Sequence, residues 1–480
     1  MHLYPFQKET VKTLLSNNKN YLLADEQGLG KTVQIAAYFK LNKQALPAVI
    51  VCPSSLKLNW SREIEKWAGV KTFVIEGKKP QMFSDEFVKK YPVWIINYDI
   101  LGSEDKEERK KENDRKEYCK NNNYIYKEKV LQIYGWVDEI NNHNFKTIVA
   151  DEIQYISEPK TLRSRGVQKI CNNESRKIFL SGTPYETKTS QFFTCLNILN
   201  KSLFPNRWKF LMEFCNPILT RFGWQFNGLS NGDKLHKLIS TLMIRRLKKD
   251  VLTELPSKQR IVVPMNISTI NKRLYNEADD KLRNAILNKE KNALTRLTEL
   301  KQAAVKCKID ACIQWIKEYL QINDKLVVFV YHTAIFDLLM EKFKGVAVGV
   351  NGATSSQDRQ KNVDSFQKNE KIKLFIGNIS ACCTGITLTK SKATCFIEFG
   401  RSYSQMVQAE DRVHRIGQEA DCVFAYYLIM ENSIDEIVLE TINERSSGIN
   451  KVMDNSDEKM FDCGDISKDI LNKYAKQITG

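Results

Sequence analysis

Eight short apolar runs, rich in β-branched residues, constrain this chain more than any other feature. "PAVIVCP", "VWIINY", "FKTIVADE" and "RKIFLSGTP" fall in the first half; "DKLVVFVY", "VAVGVNG", "IKLFIGN" and "ATCFIEFG" fall in the second. Amphipathic stretches of helical period separate them. A strand that is apolar on both faces has no solvent side, so it belongs in a parallel sheet covered by helices. The pattern predicts an α/β chain with two parallel sheets in tandem. Between them, from about Gln191 to Gln321, the period is mostly helical, and "EADDKLRNAILNKEKNALTRLTELKQAAVKCKI" reads as one long charged amphipathic helix. One segment breaks the first set of runs. "SEDKEERKKENDRKEYCKNNNYIYKEKV" is dense in charge and predicts a solvated helical excursion.

A chain of 480 residues is too long for one core, and its 42% hydrophobic content suffices for two. Lys and Arg number 73 against 57 acids, a formal charge of +16, which suits a polyanionic partner, nucleic acid first. The 12 cysteines show neither CxxC pairs nor metal-ligand spacing with His, and read as reduced thiols of a cytosol-like compartment. Met1 leads straight into a mixed polar segment, and no apolar run could span a bilayer, so a secreted or membrane protein is not expected. The wealth of Lys, Asn and Ile hints at an AT-rich genome such as a phage.

The chemistry begins at "LLADEQGLGKT", which follows a strand-like run and precedes the helix-like "VQIAAYF". That is the setting of a phosphate loop. Gly28 and Gly30 let backbone N–H groups approach phosphate oxygens. Lys31 can reach the β- and γ-phosphates, and Thr32 can ligate Mg²⁺. Asp25 stands where the first glycine of the strict pattern would be. In "KTIVADEIQYI", Asp151 and Glu152 sit at the end of an apolar strand, where α/β sheets place their ligands. Asp151 would hold Mg²⁺, and Glu152 would orient or deprotonate the attacking water. "LSGTP" ends another strand, with hydroxyls at Ser181 and Thr183. Near the C-terminal end, "QMVQAEDRVHRIGQ" predicts a helix carrying Gln408, Asp411, Arg412 and Arg415 on one polar face.

The order LYPFQ, DEQGLGKT, VIVCPSSLKLNW, VADEIQ, LSGTP, VNGATSSQDRQ, SACCTGITL, QAEDRVHRIGQ resembles the superfamily 2 helicase-like ATPases of the Swi/Snf type, from Leu3 to about Ser447. "IRRLKKDVLTELPSKQR" is a further hallmark. "FGWQFNGLSNGDKLHKLISTLMIRRLKKDVLTELPSKQR" resembles the branch containing the annealing helicases, which remodel stalled forks and branched DNA. The resemblance implies two RecA-like lobes with flanking helices and helical insertions. The first would span 1–254, with the charged insertion 103–130 and a helical protrusion at about 191–245. The second would span 255–448, with a helical segment at 268–320, and a tail would follow at 449–480.

The same resemblance assigns roles. ATP and Mg²⁺ would be used. Gln7 would read the adenine edge, and Gln27, Gly28, Leu29, Gly30, Lys31, Thr32 and Gln408 would bind the nucleotide. Arg412 and Arg415 would act as arginine fingers on the γ-phosphate, beside the catalytic Lys31, Asp151 and Glu152. Ser54, Ser55, Lys57 and Trp60 on the first lobe, and Ser380, Thr384 and Gly385 on the second, would meet the DNA backbone, which positions without reading sequence. Gln154, Ser181, Gly182, Thr183 and Gln418 would couple the nucleotide to the DNA. Two motifs depart from the family: Gln154 replaces the usual His, and Arg401, Ser402 and Tyr403 replace Trp-Asn-Pro. Both bear on coupling rather than on ATP binding.

Three functions compete. A monomeric ATP-driven translocase could remodel branched duplex DNA without sequence preference, in a prokaryotic or phage-infected cytosol, or in a nucleus. A remodeller could instead displace proteins from DNA; the core shows no histone-reading module. A catalytically dead scaffold on DNA is opposed by the joint retention of Lys31, Asp151, Glu152, Arg412 and Arg415. For the insertion, Tyr124 and Tyr126 beside an asparagine turn suggest stacking on unpaired bases at a branch point.

Overall fold

The computed structural model describes residues 3–454 and 474, apart from 123, 128, 172–173, 185–187, 221–222, 227, 253, 268, 289, 291, 383–384 and 400–402. The chain divides into two compact units, 1–26 with 30–247, and 27–29 with 248–480.

The strands of the first unit, in chain order, are β1 (Tyr21–Leu23), β2 (Ala48–Cys52), β3 (Thr72–Val74), β4 (Val93–Asn97), β5 (Ser103–Glu104), β6 (Ile133–Tyr134), β7 (Thr147–Asp151), β8 (Arg176–Leu180), β9 (Pro217–Thr220), β10 (Gly223–Phe226) and β11 (Met243–Ile244). Seven of them form one sheet in the order β11-β1-β8-β7-β2-β4-β3. Every pairing in it is parallel. The four runs singled out in this half are β2, β4, β7 and β8, each buried along its whole length. The core packs Ile50, Val149, Ile178 and Leu180 against Trp60 and Ile64 of the helix Lys57–Ala68.

The charged insertion is a helix, Lys106–Asn121, leaving and re-entering the lobe through the antiparallel pair β5–β6. It folds on itself. Glu112 accepts hydrogen bonds from the Lys129 N–H at 2.8 Å and the Tyr126 hydroxyl at 2.7 Å, and pairs with Arg115. Those contacts, the Lys129 amide foremost, hold the Glu112 carboxyl down at about 2. Tyr126 is thus committed internally, while Tyr118 and Tyr124 remain exposed.

The second unit holds β12 (Ser257–Pro264), β13 (Leu326–Val330), β14 (Ala347–Val350), β15 (Leu374–Asn378), β16 (Ala393–Phe396) and β17 (Cys422–Ile429). They form a second all-parallel sheet in the order β12-β17-β16-β13-β15-β14. The four runs of this half are β13 to β16. The long helix expected before them is broken into Thr269–Leu287 and Ala293–Ile322. Asn288 and Asn292, poor helix formers, flank the break. Folding back lets Tyr275 and Leu282 share one core with Leu297, Leu300 and Ala304, which a straight helix would leave wet. Lys308 of the second helix is wholly buried. Its ammonium bonds Asp435 at 2.7 Å and the Leu428 carbonyl at 2.6 Å, tying the helix to β17. The protrusion expected as helical over 191–245 also contains an antiparallel hairpin, β9–β10.

Candidate active site

Three loops of the first unit leave the carboxyl ends of three neighbouring strands, β1, β8 and β7. Residues far apart in sequence meet there because a parallel sheet points all its strand ends one way.

The loop after β1 turns into the helix Lys31–Leu41 through two left-handed glycines, Gly28 at φ +86° and Gly30 at φ +76°. At Gly30 a Cβ would lie 2.6 Å from the Gln7 amide nitrogen, so glycine is required twice over. Gln7 is buried, and its carbonyl oxygen accepts from the Tyr4 N–H at 3.1 Å. The Lys31 ammonium folds back onto the Asp25 carbonyl at 2.6 Å. Burial lowers its pKa, while Glu152, Asp25 and Asp151 pull the other way. Thr32 is half-buried on the first turn of that helix. Gln27 and Leu29 are buried, and the Gln27 amide has no hydrogen-bond partner among the described residues. Asp25, in place of the usual glycine, is fully buried and bonds the Gln34 amide at 3.0 Å.

Asp151 ends β7. The Trp60 indole N–H donates to its Oδ2 at 2.9 Å, and the Glu152 N–H donates to its Oδ1 at 3.0 Å. The buried Tyr98 hydroxyl donates to its main-chain carbonyl at 2.7 Å. Burial, then the charge of Glu152, raises the Asp151 carboxyl to about 7, against the opposing pull of Trp60 and Lys31. Glu152 itself has φ +55°, a left-handed backbone at a non-glycine residue. Such a conformation persists only where neighbours over-determine it, and it clusters at working sites. Trp60 therefore serves the interior of the lobe; its side chain is not on the surface expected to meet DNA.

Glu152 is linked onward. The Gln154 amide donates to Glu152 Oε2 at 2.8 Å, the Ser181 hydroxyl donates to Gln154 Oε1 at 2.8 Å, and the Thr183 N–H donates to Ser181 Oγ at 3.0 Å. This chain of bonds joins the loop after β7 to the loop after β8. Gln154 completes it with one donor and one acceptor. Arg245, just past β11, donates to the Ala24 carbonyl at 2.9 Å and to the Gly182 carbonyl at 3.1 Å, bracing the loops after β1 and β8. Arg246 bonds Thr10 at 2.7 Å and Glu9 at 2.8 Å. Neither arginine was assigned a role from sequence, nor was Tyr98. The available signal was an Arg-Arg pair directly after the apolar "LMI".

Of the remaining first-unit residues, Ser54 and Ser55 are exposed after β2, while the Lys57 ammonium donates to the Ile75 carbonyl at 2.8 Å.

In the second unit the helix before the arginines is Tyr403–Glu410, and it stops there. Asp411 to Gly417 run in turns, so Arg412 and Arg415 do not share a helical face with Gln408. The reason is electrostatic. Glu410 and Asp411 are buried, and the cations Lys258, Arg260 and Lys248 draw them inward. Lys248 reaches Asp411 at 2.7 Å, Lys258 reaches Glu410 at 2.9 Å, and Arg260 reaches Glu410 at 2.6 Å. Lys258 and Arg260 lie two apart on the edge strand β12, which puts both on one face. Arg412 donates to the Gln408 carbonyl at 2.9 Å, and Arg415 donates to the Ile386 carbonyl at 3.1 Å and the Thr387 hydroxyl at 3.0 Å. Burial and then Arg412 lower Arg415 to about 10. Gln408 is buried. The Gln418 amide donates to the Ser391 carbonyl at 2.9 Å. Ser380 and Gly385 are exposed; Thr384 lies outside the described residues.

Among the described residues no group of three or more His, Cys, Asp and Glu could hold a metal by itself, and no helix is long and apolar enough to cross a membrane. The donor set at Asp151 still suits one metal. A carboxylate raised first by burial and then by its acidic neighbour gains from a divalent cation, and Mg²⁺ binds through one or two carboxylates together with substrate phosphates.

Two parallel-sheet units, with a glycine loop beside an acid pair at neighbouring strand ends, define a protein of the helicase-like class. The chain belongs to the SNF2-related family: the SNF2-related domain matches residues 6–333, and the helicase conserved C-terminal domain matches 307–417. It is 29% identical over 478 residues to the human DNA annealing helicase and endonuclease ZRANB3, covering 95% of this chain and 41% of that protein. It is 29% identical over 462 residues to the Xenopus tropicalis SWI/SNF-related matrix-associated actin-dependent regulator of chromatin subfamily A-like protein 1, covering 92% and 44%. The chain thus spans less than half the length of these two relatives. Among solved structures, the Sulfolobus solfataricus SWI2/SNF2 ATPase core in complex with dsDNA is 22% identical, with 95% of this chain and 94% of that one covered and a TM-score of 0.43.

Proposed function

We propose that this chain hydrolyses Mg²⁺-bound ATP to move along duplex DNA and remodels forks and junctions, as a monomer and without sequence preference. The observation that carries the reading is the meeting of Lys31, Asp151, Glu152 and the Gln154–Ser181 link at three adjacent strand ends. Backbone N–H groups around Gly28 and Gly30 would cradle the phosphates, Gln7 would meet the base, and Lys31 would exchange its carbonyl partner for the β- and γ-phosphates. Asp151 and Thr32 would hold Mg²⁺, which supplies charge neutralisation on the phosphates. Glu152 accepts the proton of the attacking water as its oxygen bonds the γ-phosphorus and the bond to the β–γ bridging oxygen breaks. Arg412 and Arg415 are assigned to the charge that develops in that step. A change at Glu152 would pass through Gln154 to Ser181 and Thr183, which is how turnover would be felt at the DNA. Ser54, Ser55, Ser380 and Gly385 are exposed, as backbone contacts need.

The names of the relatives, an annealing helicase and a SWI/SNF-related regulator, support the branched-DNA reading over a scaffold. The test is ATP turnover without DNA and with blunt duplex, fork and four-way junction, for the parent and for Lys31→Ala. Turnover should rise most with the branched substrates and vanish in the variant, while DNA affinity persists. Undiminished turnover in Lys31→Ala, or equal stimulation by all DNAs, would contradict the assignment.

A further inference from the structure

The hairpin β9–β10 carries an uncovered aromatic face. Trp224 on β10 pairs across the strands with Leu219 on β9. Trp208, from the helix Arg207–Phe214, meets Trp224 edge-on at 6.4 Å and Phe226 edge-on at 5.7 Å. Both indoles remain open to solvent, 51% at Trp208 and 41% at Trp224, and Leu219, opposite Trp224 on the same face, is also exposed. A lone two-stranded hairpin is marginal in water. This one is pinned: Thr220 donates to the Gly223 carbonyl at 2.8 Å, Asn216 N–H to Ser230 Oγ at 3.1 Å, and Ser230 to the Glu213 carbonyl at 2.8 Å. A fixed scaffold therefore presents two large rings outward, which is costly unless something covers them.

Charge says what covers them. The described residues from 201 to 226 include Lys201, Arg207 and Lys209 against one acid, Glu213, and Glu213 is paired with Lys234. Lys201, Arg207 and Lys209 are exposed. The insertion at 104–128, by contrast, has eight cations and eight acids, and commits Tyr126 internally. Exposed rings among unopposed cations fit unpaired nucleotides: bases stack on indoles irrespective of sequence while ammonium and guanidinium groups meet phosphates.

Resting on the reading of the chain as an enzyme of branched DNA, we infer that this hairpin binds single-stranded DNA at the branch, with Trp224 and Trp208 as its stacking platform. The test compares full-length parent, Trp208→Ala/Trp224→Ala and Trp224→Phe by fluorescence anisotropy on two labelled DNAs. One is a blunt duplex; the other is a fork with oligo-dT arms. The double alanine variant should lose about tenfold or more in fork affinity. It should keep blunt-duplex affinity and duplex-stimulated ATP turnover, and Trp224→Phe should stay close to the parent. Fork affinity unchanged in the alanine variant would overturn the inference and point to a protein partner for the face. Equal losses on both DNAs would overturn it as well. A parent that binds neither DNA would instead sink the underlying reading, and the inference with it.

Discussion

Trp60→Phe is the substitution whose outcome can be worked out most fully. The indole is 1% exposed, and its N–H donates to Asp151 Oδ2 at 2.9 Å. Phenylalanine keeps an aromatic ring in the core and deletes only the donor and part of the volume. A hydrogen bond to a charged group contributes about 1.5–3 kcal/mol, and the void left by the smaller ring costs about 1 kcal/mol. Packing loss alone would lower the melting temperature and nothing else. Loss of the donor does more, because Asp151 then keeps only the Glu152 N–H to fix its carboxylate. A carboxylate freed about its last torsion holds a metal less well. If about 1.4 kcal/mol of the lost bond falls on the metal-holding geometry, the half-saturating Mg²⁺ concentration rises about tenfold. The assay has two arms: ATP turnover across a Mg²⁺ titration, and binding of a fluorescent nucleotide in EDTA. The first should shift, and the second should not. A variant that folds normally, yet reaches half-maximal turnover within about twofold of the parental Mg²⁺ concentration, would refute the positioning role of Trp60.

Arg415→Ala and Arg412→Ala should each lower kcat by roughly 10²- to 10³-fold with a smaller effect on ATP KM; near-normal kcat in both would remove the transition-state role. The second unit should also be acid-sensitive. Burial, then Lys248 and Lys258, lowers His414 to about 4, so the unfolded chain takes up that proton first. The stability held by neutral His414 is complete above about 6.5 and is lost as pH falls toward 4, by at most about 3 kcal/mol. Asp411, held well below the usual carboxylate range by Lys248 and Lys258, adds its loss at still lower pH. His414→Gln, whose amide can still donate to the Pro256 carbonyl as the imidazole does at 2.9 Å, should flatten the melting profile between pH 6.5 and 4. Replacing 105–128 with a short Gly-Ser linker, which spares the Glu104–Arg165 pair to the lobe, should leave duplex-stimulated turnover unchanged, because the charged contacts of Glu112 and Tyr126 stay within the insertion; a fall in turnover would show that it supports the lobe.

The eight apolar runs became eight parallel strands, buried except at the outer end of the edge strand β14, because an all-apolar strand has only one kind of place to go. The phosphate loop was equally plain, since Gly28, Gly30 and Lys31 are close in sequence and their chemistry is local. What escaped was whatever depends on a partner distant in the chain. The strands β12 and β17 were not among the eight runs; β12 opens on four polar residues, Ser257 to Arg260, of which Lys258 and Arg260 lean toward Glu410 and Asp411, some 150 residues away. That network ends the helix at Glu410, where periodicity alone carries it on through Arg415. Trp60 sits 91 residues from Asp151 and Arg245 sits 221 from Ala24; both reach their partners because parallel strands gather their ends at one edge. Local sequence settles which runs become strands and what chemistry a residue can offer. Only the folded sheet settles which carboxylate an indole meets, because that contact comes into being when the strands between them pack.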